Sequence, residues 1–227
     1  MYVDAAAADE TELATVASAA SAGATVAEVQ PGVLARVCDT VTPQPVAATV
    51  RQIDVPLGEV ARGGTTFVVV LAGVSDPGNA GSLLRSAAAA GAGGVVTCCG
   101  SVDLYNPKTV RASAGAIFRI PVAIDRSGEG HSGEDLARQL RSHGLRLVAT
   151  AAAGGAPYTG SDLSGSVALV LGNEAHGLPP GLAQACDSVV SVPMHRGTES
   201  LGVAAAGAVI FFEAARQRRL AGVAGAA

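Results

Sequence analysis

The run TFVVVLAGVSDPGNAGSLLRSAAAAG, residues 66–91, carries the reading of the fold. Residues 66–72 are almost continuously apolar, without the polar alternation of a half-exposed strand. That pattern predicts a strand covered on both faces. A loop of Gly, Ser, Asp, Pro and Asn follows, and then Leu83, Leu84, Ala87 and Ala88 recur at helical spacing. Asn79 is a candidate helix cap, and Gly78 and Gly81 permit tight turning. Arg85 stands four residues past Gly81 and three past Ser82, so the three share a helix face. Little side-chain bulk lies on that face, which gives Arg85 room to reach a ligand. A capped helix with a surface arginine fits the same residues. The spacing G-x-G-x-x-G of a dinucleotide fingerprint is absent.

The same strand-then-helix alternation continues on both sides of this run. Strands are expected at 94–98, within 117–124, at 145–151, 167–171 and 188–192, and helices at 107–114, 135–142, 180–185 and 200–216. Such alternation predicts an α/β fold with a mostly parallel sheet, right-handed crossovers and helices on both faces. Upstream, a helix at 11–22, a strand at 25–29, a helix opened by Pro31 through 37 and a strand at 46–50 form a smaller α/β segment. Residues 1–50 are marginal for a core of their own. Residues 51–65, with Pro56, Gly58, Gly63 and Gly64, read as a linker to a main domain at 66–227.

Composition narrows the classes. The chain has 227 residues, 49% hydrophobic and 15% charged, which excludes a disordered tail. The formal charge is −4, so a nucleic-acid footprint must be local rather than global. Arg216, Arg218 and Arg219 form the one dense basic cluster, readable as such a footprint or as favourable charge at a helix C-terminus. With no Trp, three Tyr and four Phe, a broad base-stacking platform is not expected. Cys38, Cys98, Cys99 and Cys186 make no CxxC pair, and neighbours 98 and 99 would point opposite ways on a strand. They read as small residues of a reducing compartment. The N-terminus lacks a basic-then-apolar signal pattern, and the apolar run 201–212 is too short to span a bilayer. A soluble cytoplasmic protein is expected.

Ligands of parallel sheets bind outside the carboxyl ends of the strands. That rule selects three loops, 73–80, 172–180 and 193–200. Glu174 and His176 in the second loop suggest a metal, but no third ligand or zinc spacing accompanies them, so no metal is expected. His176 is also a possible general base. Ser200 is a candidate cap for the last helix, whose amides could hold an anion, and Met194 could line an apolar pocket. Lys108 and Arg111, three residues apart, could contact RNA phosphates or form an ordinary solvated face.

Taken together, VVLAGVSDPGNAGSLLRSAAAAG (69–91), ALVLGNEAHGLP (168–179) and VPMHRGTESLGVAAAGAVIFFEA (192–214), with NPKTVRASAG (106–115) between them, resemble the SpoU/TrmH family of the SPOUT superfamily, RNA 2'-O-ribose methyltransferases. The resemblance covers about residues 66–215. It implies a C-terminal trefoil knot, S-adenosylmethionine as cofactor, a homodimer, and methylation of a ribose 2'-hydroxyl in rRNA or tRNA. On it, Arg85 would be the catalytic arginine, with Asn79 and Ser200 beside it. Thr150, Ala151, Ala152, Leu171, Gly172, Asn173, Glu174, Val192, Met194, Ser200 and Leu201 would hold the cofactor, and Lys108, Arg111 and Arg85 the RNA. The stretch PGVLARVCDTVTPQPVAATV (31–50) resembles the second half of an L30e-like substrate domain, so the sequence is either incomplete or carries a reduced domain. The family's third motif usually reads Ser-Leu-Asn, and here it is Ser200-Leu201-Gly202. Loss of the Asn donor and acceptor would weaken turnover. A non-catalytic RNA-binding relative is therefore the alternative, and a nucleotide-binding α/β oxidoreductase a more distant one.

Overall fold

The computed structural model describes every residue except 39, 41, 62–66, 126–132, 196–197, 199 and 223–227. The chain divides into two units, Met1–Gln52 and Ile53–Ala227. In the first, Tyr2–Val3 (β1), Glu10–Ser21 (α1), Ala27–Glu28 (β2), Val33–Val37 (α2) and Val46–Ala47 (β3) follow one another, with strand order β2-β1-β3. Asp9 caps α1 in a reciprocal capping box with Glu12. The expected helix at 31–37 starts later, at Val33, because Gly32 takes the left-handed conformation (φ 77°) and breaks the turn after Pro31. Both strands expected here are cut to two residues. Among its described residues, Val3, Val16 and Leu34 are the buried large apolar side chains, few to support longer strands.

The second unit runs Leu57–Val60 (α3), Val68–Ala72 (β4), Pro77–Ala89 (α4), Gly94–Cys98 (β5), Pro107–Ala112 (α5), Val122–Ile124 (β6), Gly133–Ser142 (α6), Arg146–Ala151 (β7), Ala156–Pro157 (β8), Val167–Gly172 (β9), Pro180–Gln184 (α7), Ser188–Ser191 (β10) and Val203–Leu220 (α8). Its sheet has the order β6-β5-β4-β9-β7-β10-β8, with every pairing parallel. The stretch 51–65 is not a plain linker: Val55 donates to Val122, and Val60 and Ala61 of the α3 region are buried. Residues 62–65 lie outside the described residues.

β4 shows why the deciding run is continuously apolar. Val69 and Leu71 join one core cluster with Leu83 and Leu84 of α4 and Ile210 and Phe211 of α8. Val68, Val70 and Ala72 join the cluster on the other side, with Leu136 and Leu140 of α6 and Leu182 of α7. Period-two alternation thus feeds two helix layers, and each Val or Leu so buried contributes about 1.5–3 kcal/mol. Ala72 pairs with both Cys98 and Gly172, so β4, β5 and β9 end level with one another. The chain leaves β4 toward β5 and β6 but crosses to its other side at β7, and β9 then enters between β4 and β7, which makes the end of β4 a topological switch point.

Several local expectations change. Asp76, not Asn79, caps α4, accepting from the Asn79 amide at 2.7 Å, with Pro77 in the first turn. The bare face at Gly81 is no vacancy for a ligand. A Cβ there would lie 2.5 Å from Ala112 Cβ and 2.7 Å from Thr109 O, so glycine permits α5 to touch α4. Ser200 does not cap the last helix: α8 starts at Val203 behind Gly202, which has no side chain to cap with. The C-terminal arginines divide. Arg218 is buried and donates to Ser164 O and Gly165 O, while Arg216 pairs with Glu213, so both fasten structure rather than form an open basic patch.

Candidate active site

At the carboxyl end of β7, β9 and β10 lies a cavity of about 660 Å³. That size suits a cofactor or small ligand. Thr150, Ala151 and Ala152 line it from the end of β7, Gly172, Asn173 and Glu174 from β9, and Val192, Met194, Ser200 and Leu201 from the segment after β10. Of the residues expected there, Leu171 does not line it. Alternation along β9 turns its side chain into the core, where it is fully buried. Sequence reasoning missed Leu178, Val189, Val203, Ala206 and Ile210, which complete the apolar wall. The signal for Val203, Ala206 and Ile210 was their helical spacing on α8, readable only once the start of that helix is placed.

The β9 loop is shaped by one side chain. Asn173 Oδ1 accepts from the amides of Ala175 and His176, and Nδ2 donates to Gly73 O at 2.8 Å. Asn173 and Gly177 also exchange backbone hydrogen bonds of 2.9 Å in both directions. Gly172 sits so close beneath that a Cβ would fall 2.5 Å from the Gly177 carbonyl carbon. Asn173 Oδ1 lies 3.1 Å from His176 Nδ1. An amide oxygen only accepts, so this contact assigns the proton to Nδ1 and leaves Nε2 as the basic nitrogen.

The first loop touches this cavity indirectly. Asn79 Nδ2 donates to Glu174 Oε1 at 2.9 Å, joining the start of α4 to the cavity wall. Arg85 is exposed on α4, about 9 Å further along the helix axis, and does not line the cavity. Ala72, Gly73 and Ser75 instead line a neighbouring cavity of about 330 Å³, shared with Cys99, Asn173 and His176. Lys108 and Arg111 are exposed on α5, the helix that packs at Gly81 of α4.

Among the described lining residues of the larger cavity, Glu174 is the one ionisable side chain. An apolar wall, backbone polar groups and a single acid suit a ligand with a flat apolar body and a cationic centre. They offer no cation to a pyrophosphate, which disfavours a dinucleotide. Among the described residues, no group of three or more His, Cys, Asp or Glu is placed to hold a metal ion. No helix among them is long and apolar enough to cross a membrane.

Comparison with known proteins agrees with this geometry. The model of the SpoU rRNA Methylase family matches residues 66–212. The chain is 35% identical over 176 residues to the 23S rRNA (guanosine(2553)-2'-O)-methyltransferase RlmP of Bacillus subtilis, covering 78% of this chain and 66% of that protein. It is 42% identical over 159 residues to the 23S rRNA (guanosine-2'-O-)-methyltransferase RlmB of Xanthomonas axonopodis pv. citri, covering 70% and 61%. The chain therefore spans under two-thirds of the length of either curated relative. The crystal structure of the AdoMet-bound rRNA methyltransferase from Sinorhizobium meliloti superposes with a TM-score of 0.79 at 34% identity, covering 91% of this chain and 77% of that one. By its matched residues, its parallel sheet and its strand-end cavity, this chain belongs to the SpoU rRNA Methylase family.

Proposed function

We propose that this chain transfers a methyl group from S-adenosylmethionine to a ribose 2'-hydroxyl of ribosomal or transfer RNA. The observation that carries the reading is the cavity formed by the ends of β7, β9 and β10, lined by ten of the eleven residues assigned to the cofactor from sequence. The names of the relatives agree with it. When bound, S-adenosylmethionine supplies an electrophilic methyl carbon on a sulfonium whose sulfur leaves neutral. Glu174 puts a negative charge on the wall that would face this cation, and Asn79 holds its carboxylate in place. Arg85 orients the ribose oxygen and an adjacent phosphate. A guanidinium carries donors only and is a poor base, so its contribution is alignment and charge, with proton acceptance confined to the closed site.

The proposal extends to the chain path. β7 and β8 flank β10, so the connection between them crosses the end of β10. Gly155 makes the crossing at backbone contact: a Cβ there would lie 2.7 Å from the Val190 carbonyl carbon, and Ser191 Oγ donates to Gly155 O. This close crossing supports a knotted C-terminal segment. The family resemblance supports a homodimer, with residues 1–50 as part of a substrate-binding domain, and Lys108 and Arg111 as phosphate contacts.

Calorimetry with S-adenosylmethionine, followed by labelled methyl transfer to total cellular RNA, tests the reading. Binding with label on RNA is expected. Binding without label would favour the second reading, a non-catalytic RNA-binding relative. One observation points to it: Gly202 leaves α8 uncapped, with nothing within 4 Å of where its Cβ would be. Absence of binding would overturn the methyl-transfer reading. The variant Arg85→Ala should lose turnover by more than about tenfold while keeping cofactor affinity, because Arg85 stands outside the cavity. Unchanged turnover would remove Arg85 from the chemistry.

A further inference from the structure

Cys98 and Cys99 do not alternate as neighbours on a strand would. β5 ends at Cys98, and Cys99 takes a left-handed backbone conformation (φ 56°), a strained choice for a residue with a side chain. The turn leaves both side chains packed against the same core cluster. Cys98 is buried, while Cys99 is half-buried and lines the 330 Å³ cavity beside His176. We propose that this pair is an oxidative modification site for hydroperoxides, Cys99 attacking and Cys98 resolving, and that closing it disturbs the loop shared with the cofactor cavity.

The chemistry balances. The Cys99 thiolate attacks the outer peroxide oxygen. An S–O bond forms, the O–O bond breaks, and the alkoxide or hydroxide leaves with a proton from solvent. The Cys98 thiol, having given up its proton, then displaces water from the Cys99 sulfenic acid. The two thiols have supplied two electrons and the peroxide has accepted them. The neighbouring Cys98 thiol lowers the Cys99 pKa, whereas the Cys99 thiol and burial push Cys98 up. Cys186 offers a contrast: burial raises its thiol to about 11, and its Sγ donates to Leu182 O. One trans peptide holds the two Cα atoms about 3.8 Å apart, short of the usual disulfide span, so the bond formed is readily reduced.

The path to the cofactor cavity starts at the peptide bond inside the new ring. Its carbonyl, Cys98 O, accepts from Gly73 N at 3.2 Å, Ser101 N at 3.1 Å and Ser101 Oγ at 2.8 Å. Twisting that peptide disturbs Gly73 and Ser101 together, because the Gly73 amide also donates to Ser101 Oγ at 2.8 Å. The Gly73 carbonyl holds Asn173 Nδ2, and Asn173 lines both cavities. This coupling rests on the larger cavity being the cofactor site.

Limiting hydrogen peroxide followed by peptide mass spectrometry tests the site itself. The expected result is loss of two hydrogens on the peptide carrying both residues, reversed by dithiothreitol. In Cys98→Ser a sulfenic acid trappable by dimedone should persist on Cys99. First oxidation at Cys38 or Cys186 would overturn the proposal. The coupling is read by S-adenosylmethionine calorimetry on reduced and oxidised protein, with roughly a fivefold or greater loss of affinity expected on oxidation. Cys99→Gly, which removes both thiol and strain, should bind equally under both conditions. Equal binding by reduced and oxidised wild-type protein would overturn the coupling. Failure of the reduced protein to bind would instead overturn the cofactor reading and leave the peroxide result to stand by itself.

Discussion

Two strand-to-helix junctions at one end of the sheet are built in opposite ways. Between β4 and α4, Asp76 caps the helix, Pro77 presets its first turn, and Asn79 is tied to Glu174. Between β10 and α8, the cap position is Gly202, which offers no side chain. α8 is fastened further along instead. Gln217 accepts from Leu163 N and donates to Ser161 O, Arg218 donates to Ser164 O and Gly165 O, and Glu213 holds Arg216 and Gln217. The Arg216 guanidinium holds the Glu213 carboxyl below the usual carboxylate range. One junction is rigid at its start. The other, beside the larger cavity, starts its helix at Gly202 without a side-chain cap and anchors the helix further along. Such a division suits a wall that must admit a ligand.

That contrast can be broken or sharpened by substitution. The largest effect is expected at Gly81→Ala, where the new Cβ would meet Thr109 O and Ser113 N, backbone atoms of the α5 region. A net loss of about 2–3 kcal/mol is expected despite the better helix propensity of Ala, read as a lower midpoint in urea. A midpoint at or above wild type would show that α4 is not held by that contact. Gln217→Ala should cost about 2 kcal/mol, since it leaves the Leu163 amide without its partner, and a change under half that would remove α8's claimed anchor. Removing the α4 cap in Asp76→Ala should cost about 1 kcal/mol by the same measurement. Gly202→Asn should gain only a few tenths of a kcal/mol, because Gly at a cap position is already tolerated and the space around it is open. Methyl transfer by that variant is the sharper readout: a rise with no change in cofactor affinity would show that the missing side chain limits turnover. A destabilised Gly202→Asn would mean the start of α8 is more confined than its open surroundings indicate.

Much of this was legible in residue order. The buried strand at β4, its loop and α4 stood out because a doubly covered strand must be apolar on both faces, and ten of eleven proposed cofactor residues reached one cavity. What failed did so for local reasons. Leu171 belongs to the right strand but the wrong face, a one-residue matter that family motifs do not record. Gly81 read as empty space because a sequence does not show which helix comes to lie on it. The strand ends at Cys98 as expected, but nothing in residue order announces the left-handed backbone of Cys99 that follows it.

From residue order came the α/β class and the strand-end loops, because hydrophobic period and turn chemistry are local properties, while the residues assigned to the cofactor came from the family resemblance of the motifs. Tertiary structure alone decided that β9 returns beside β4, that Gly155 crosses β10, that Arg218 is buried, and that the Cys98 carbonyl ties two loops together. Each of these depends on segments far apart in the chain meeting at van der Waals or hydrogen-bond distance. Close packing chooses such meetings over the whole molecule, where no short window of sequence can register them.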